Sequence, residues 1–298
     1  MTADAPSTTS ARAWSLERIP AVWLVVAGIV SVQFGAAIAK QLFPLVPPTA
    51  MVWLRLVTSA VVLWLVVRPR LRGHRRADWA VALLFGVSLA TMNWAIYQSF
   101  ARIPLGIAVT IEFLGPLAVA VAGSRRPRDL LWVLLAALGV GLLGLSRTRL
   151  DPLGVLFALL AAAGWACYIL LSARTGRRWP GISGLVVASL VGAVALGPPA
   201  VLEAGTRLLE PRVLLLGLAV GLLSSVIPYS LELVALRRIP PRVFGILMSL
   251  EPAVAALAAM LLLAEFLSPV QWVAMACVVL ASVGSTRTAR EPSGPATV

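Results

Sequence analysis

Glu112 lies in the apolar stretch LGIAVTIEFLGPL (105–117), one helical turn before Pro116, and Glu251 lies in ILMSLEPAVAAL (246–257), directly before Pro252. A charged side chain at the centre of a lipid-embedded helix costs roughly 2.5–3.5 kcal/mol on insertion scales, so each acid is a candidate for function. Proline lacks an N–H and frees the carbonyl one turn earlier, which bends the helix. An acid beside such a break is placed to hold a proton or an ammonium group, and Pro116, Pro228 and Pro252 are the candidate hinges. The competing reading is a structural ion pair with Arg55, inside the second apolar stretch. Lys40, the one lysine against 24 arginines, ends the first apolar run. There a long side chain either snorkels to the headgroups or faces a substrate. Glu232 follows the polar, proline-broken SSVIPYS (224–230) and precedes Arg237 and Arg238, so it reads first as half of a structural pair. Gln33, Asn93, Tyr97 and Tyr229 can each hydrogen-bond toward a cavity or to a neighbouring helix.

Other chemistries lack their residues. There is no Gly-x-x-x-x-Gly-Lys-Ser/Thr phosphate loop and no Gly-x-Ser-x-Gly elbow with a histidine partner. His74 is the one histidine, and Cys167 and Cys277 fall in separate apolar runs, so neither a zinc site nor a disulfide framework is indicated. No cofactor and no metal are expected, and transport, if that is the activity, must be secondary or facilitated. A membrane enzyme acting on lipid headgroups would have to work with Glu, Arg and Tyr alone. A non-transporting sensor is the third reading, and it predicts no water path to Glu251.

The elements that must position these residues follow from composition. Sixty per cent of the 298 residues are hydrophobic, 12% are charged and the mean hydropathy is +0.94. Apolar runs of this length cross a hydrocarbon core of roughly 30 Å, and they must be helical, because backbone groups in lipid need partners within the segment. The spans read as 20–42, 49–67, 78–100, 104–123, 129–146, 153–173, 182–203, 212–232, 243–263 and 269–286. The net charge of +13 would suit nucleic acid, but alternate connections carry 18 basic residues against six, with Arg55 inside a span. That bias is the positive-inside pattern, with both termini cytoplasmic, and no nucleic-acid partner is expected. Arg12 and Arg18 before an apolar run ending Ala37-Ile38-Ala39 imitate a cleaved signal, but the run is too long and nine spans follow, so the first helix stays. Trp23, Trp79, Trp132, Trp179 and Trp272 fit an interfacial belt; Trp53, Trp94 and Trp165 lie deeper.

An internal repeat organises the spans. Arg102-Ile103-Pro104 and Arg238-Ile239-Pro240 align at an offset of 136, which also sets Pro116 on Pro252 and Leu114 on Leu250. Five spans per half is odd, so the halves insert in opposite senses, an arrangement that suits alternating access with a site near the midplane. The fold class is therefore all-α integral membrane, ten transmembrane helices as two inverted five-helix repeats. The expected divisions are 1–18 (disordered cytoplasmic tail), 19–149 and 150–287 (the repeats) and 288–298 (disordered cytoplasmic tail). The alignment sets Glu112 against Met248, which leaves the two acids about one turn apart and on nearly the same helix face.

The blocks SVQFGAAIAKQLFPLV (31–46), GVSLATMNW (86–94), IPLGIAVTIEFLGPLAVA (103–120), SRRP (124–127), IPYSLELVAL (227–236), RIPPRVFGILMSLEPAVAAL (238–257) and VGST (283–286) carry a further signal. In them the chain resembles the EamA-type ten-helix exporters of the drug/metabolite transporter superfamily, over essentially all ten spans. The resemblance implies efflux across the bacterial inner membrane of small neutral amino acids such as threonine or homoserine, or of related metabolites, coupled to proton entry. Other branches of the superfamily carry nucleobases or drugs. Spans one, three, four, six, eight and nine would line the cavity, and the implied partners are substrate, proton and lipid; a homodimer stays open. Phe34 stands where the exporter pattern has a glycine and would shrink the pocket if it faced it.

Overall fold

Apolar content and proline placement together set the elements. In a computed structural model describing residues 19–69, 71–122, 129–144, 150–180 and 182–288, the chain forms α1 (Ala21–Gln41), α2 (Pro48–Val67), α3 (Arg76–Phe100), α4 (Leu105–Glu112), α5 (Leu114–Ala122), α6 (Asp129–Gly144), α7 (Pro152–Gly176), α8 (Ser183–Ala204), α9 (Pro211–Gly221), α10 (Ile227–Leu236), α11 (Pro241–Met248), α12 (Glu251–Leu263) and α13 (Pro269–Thr288). No strand occurs among the described residues. Joining α4 with α5, α9 with α10 and α11 with α12 gives nine segments long and apolar enough to span a membrane; the tenth, Leu130–Gly144, is apolar but shorter. The tails expected at 1–18 and 288–298 lie, Thr288 apart, outside the described residues.

Proline marks where helices begin. It is the cap residue before α1 and α4, and it opens α2, α7, α9, α11 and α13. The first helical N–H has no intrahelical acceptor, so proline loses nothing there. Asp151 adds a side-chain cap to α7, accepting from Leu153 N at 2.8 Å.

The 136-residue offset holds through the fold. It carries α4 onto α11 residue for residue, and α2 and α3 onto α8 and the α9–α10 segment to within a residue. Packing repeats it as well. Gly28 of α1 meets Pro228 and Glu232 of α10, and at the equivalent place in the other half Gly164 of α7 meets Met92 of α3. Missing side chains there let the backbones approach closely. Two contacts, α2 with α8 and α6 with α13, join helices to their own repeat mates and mark the pseudo-twofold axis.

The mates run in opposite senses. One end of the bundle gathers arginines: Arg238 Nη1 donates to Ile19 O at the start of α1, Arg242 to Arg287 O, and Arg178 pairs with Asp78 at 3.0 Å. The start of α7 lies at the far end, where Gly154 packs on Ile103 and Arg102. Between the ends most exposed side chains are apolar, Val61, Leu84 and Val194 among them, so the surface matches lipid tails. Two expected belt tryptophans are instead packed inside. Trp179 is 2% exposed, stacked at 3.8 Å under His74 and donating to Asp78 O, and Trp132 fills the space over Gly284.

Candidate functional site

A cavity of about 390 Å³ lies where the halves meet. Its walls come from α1, α3, α4, α5, α7, α10, α11 and α12, the spans expected to line it, and also from α2 through Arg55 and α13 through Ser282, Ser285 and Thr286. At the far end the walls are buried: Tyr97, Val109 and Phe100 are each 3% exposed or less. At the basic end Phe244, Gly245 and Thr286 are partly exposed. The cavity therefore opens toward the basic end and is shut at the other.

Glu112, Glu251, Glu232, Arg55, Gln33, Asn93, Tyr97 and Tyr229 all line it, as do Pro116 and Pro228. Both helix breaks sit ahead of their prolines. α4 ends at Glu112, four residues before Pro116 of α5, and α11 ends at Met248 with Ser249 and Leu250 between it and α12. Glu112 and Met248 are the residues whose carbonyls each proline leaves without a helical donor. Pro252 is buried beside this break and does not line the cavity. The third break is a π-turn, Leu222–Val226, directly before the Ile227-Pro228 start of α10. Such single turns re-aim side chains, and here Ser225 Oγ receives Arg55 Nε at 2.8 Å while Leu223 O accepts Ser31 Oγ at 2.7 Å.

The acids do not pair with Arg55. Among the described residues the ion pairs are Lys40–Glu265 and Arg178–Asp78. Arg55 is held by neutral groups, Ser225 and the Tyr97 hydroxyl at 3.3 Å, with the Tyr97 ring face 5.5 Å from its guanidinium carbon. Glu232 faces the cavity rather than Arg237 and Arg238. Residues five and six positions on are turned well away from it at about 100° per residue. Asn93 donates to Leu89 O, one turn earlier in its own helix, at 2.8 Å. Trp165 is the one deep tryptophan on the wall; Trp53 donates to Ala193 O and Trp94 to Thr49 Oγ1 instead.

Lys40 neither snorkels nor reaches the cavity wall. Its Nζ lies 2.6 Å from Glu265 Oε1 and 2.8 Å from Ile103 O, and Glu265 Oε2 accepts the Leu105 N–H at 2.8 Å. This clasp ties the end of α1, the α3–α4 turn and the α12–α13 loop together at the closed end. Phe34 packs into the main core, and Gln33 takes the cavity face in its place, so the pocket is not narrowed there. Glu265, Ser225, Tyr168 and the α13 hydroxyls were not singled out by sequence. The polar SSVIPYS run held Ser225 and the VGST block held Ser285 and Thr286, while nothing flagged Glu265, Tyr168 or Ser282.

Residues 152–287 match the model of the EamA-like transporter family. The threonine/homoserine exporter RhtA of Escherichia coli K12 is 43% identical over 286 residues, covering 94% of this chain and 96% of that protein. Its namesake in Salmonella typhimurium LT2 is 42% identical over 93% and 95%. The uncharacterized transporter YwfM of Bacillus subtilis is 32% identical over 68% and 72%. A solved crystal structure shares the fold at a TM-score of 0.60 and 19% identity, covering 90% of this chain and 98% of its own. The ten apolar segments, the broken helices at the repeat interface and these relatives agree: the chain belongs to the EamA-like transporter family.

Proposed function

We propose that the protein exports small neutral amino acids of the threonine and homoserine type across the bacterial cytoplasmic membrane, by alternating access coupled to proton entry. The observation that carries this reading is a membrane-embedded cavity holding a guanidinium and three carboxylates that form no ion pair with one another. A zwitterion brings both opposite charges, and the names of the relatives point to the same substrates. The basic end is the cytoplasmic one, with both termini inside, so the cavity faces the compartment being emptied. The repeats 19–149 and 150–287 act as the two moving bodies. Exchanging their conformations closes the basic end and opens the far end without displacing the site.

Glu251 and Glu112 are the groups on which a proton alternates with the substrate ammonium. Replacing either with glutamine keeps the shape and removes the charge. In vesicles loaded with radiolabelled threonine, each variant is expected to lose roughly tenfold to a hundredfold in efflux, as for a charged hydrogen bond of about 1.5–3 kcal/mol. The residual flux should no longer respond to an imposed pH gradient. Unchanged, gradient-driven efflux in both variants would remove the assignment.

A further inference from the structure

Among the described residues Arg55 is the one cation on the cavity wall. It is 7% exposed in the middle of α2, where a guanidinium without a counter-ion is costly. Three carboxylates share the cavity, yet none is in ion-pair distance of it. Its neighbours are hydroxyls instead: Ser225 on the Nε, Tyr97 on one Nη and Tyr229 facing it. A guanidinium has five N–H donors in a rigid fork, and the hydroxyls of Ser225, Tyr97 and Tyr229 take at most three of them, which leaves part of the fork unspent. The positioning groups come from three elements. α2 supplies the arginine, α3 the tyrosine beneath it, and the π-turn the serine that fixes Nε. Neutral anchors hold the charge in place without neutralising it.

A second atom on the wall also lacks a partner. Gln33 Oε1, on a side chain 5% exposed, accepts no hydrogen bond among the described residues. It is an acceptor on the same cavity as a cation with spare donors. Lys40, the other base that could hold an anion, is already occupied by Glu265 and Ile103 O.

We propose that Arg55 binds the carboxylate of the transported molecule and that Gln33 Oε1 accepts from its ammonium group. The substrate class is thereby restricted to free α-amino acids, with amines and carboxyl-blocked derivatives excluded. This rests on the export reading and adds the group that sets its specificity. The planar fork meets a carboxylate through two parallel N–H···O bonds, which a lysine cannot reproduce. A site built to hydrogen-bond a group rejects analogues lacking it, because its own buried polar atoms are then left unpaired.

The test compares L-threonine with L-threoninol, in which CH₂OH replaces the carboxylate, using the full chain in vesicles. The wild type is expected to move threonine at least about tenfold faster. In Arg55→Gln threonine flux should fall to the threoninol level, so that discrimination disappears, and Arg55→Lys should keep an intermediate preference. Gln33→Leu should weaken threonine transport and leave the preference for a carboxylate intact. Equal wild-type rates for the two compounds would overturn the proposal, and so would an Arg55→Gln variant that slows both in proportion. Thermal unfolding of the detergent-solubilised wild type with each compound separates the two readings. Stabilisation by threonine alone, lost in Arg55→Gln and reduced in Arg55→Lys, with no flux, keeps the subsite and removes export. Neither flux nor stabilisation removes both.

Discussion

Gly115→Ala is expected to leave little folded protein in the membrane, while Gly141→Ala is expected to be harmless. At Gly115 an added Cβ would clash with Ala162 O and sit 3.0 Å from Ala162 C, both backbone atoms of α7 that no rotamer change can clear. At Gly141, within α6, nothing lies within 4 Å, and alanine improves helix propensity by about 1 kcal/mol. Overpacking costs typically about 1–3 kcal/mol where neighbours can adjust. Here α5 would have to lift off α7, taking Pro116 and the break after Glu112 with it, so the loss belongs at the upper end of that range. Membrane yield and thermal midpoint by fluorescence-detected size exclusion measure the contrast. Equal stability of the two variants would show that α5 and α7 do not approach this closely. Gly115 is also the repeat counterpart of Glu251 at the 136-residue offset. A carboxylate cannot stand where α7 presses on the first half, and the acid of that half stands one turn earlier at Glu112.

Removing the clasp is expected to open the closed end. Lys40 and Glu265 are 17% and 20% exposed, between surface pairs worth about 0–1 kcal/mol and buried pairs whose disruption costs about 3–5 kcal/mol. Under the alternating access proposed above, an intermediate loss of about 1.5–3 kcal/mol would shift the balance of the two facing states roughly tenfold to a hundredfold. The reporter is Ala36→Cys on the cavity wall, with Cys167 and Cys277 replaced by serine, labelled by a membrane-impermeant thiol reagent from outside. Lys40→Met and Glu265→Gln should each accelerate labelling by that factor. The charge-swapped Lys40→Glu/Glu265→Lys protein should recover only in part. It restores the ion pair, but a lysine has no acceptor for the Leu105 N–H. Labelling unaffected by all three changes would show that the pair closes nothing.

The spans were legible because lipid leaves the chain few options. Apolar length and prolines located the start of each of the ten spans to within two positions, though not where α5, α10 and α12 resume after the breaks. The acids were legible for the same reason, since Glu112 and Glu251 are expensive where they stand. Partnerships were harder to read. Lys40 is latched by a glutamate 225 positions later, in a loop with no pattern to flag it. The π-turn left only a polar run as its trace, because an extra residue in a helical turn changes register and not composition. Gln33 and Phe34 are adjacent, and about 100° of rotation decides which one meets the cavity. Nothing in an all-apolar helix fixes that angle until its neighbours are known.

Pro241 makes the two doors of this chamber unlike. At the far end the latch depends on a backbone N–H that Leu105 gives to Glu265. The position equivalent to Leu105 is Pro241, which has no hydrogen to give, and Gly176 stands in the place of Lys40. The door at the basic end has no such latch, and the ion pair standing there, Arg178 with Asp78, leaves its arginine 42% exposed. Dissolved salt weakens so open a bond far more than a sheltered one. The door at the far end is thus the drier and firmer of the two, which gives the chamber the character of a check valve that rests open at its basic end and sealed at the other.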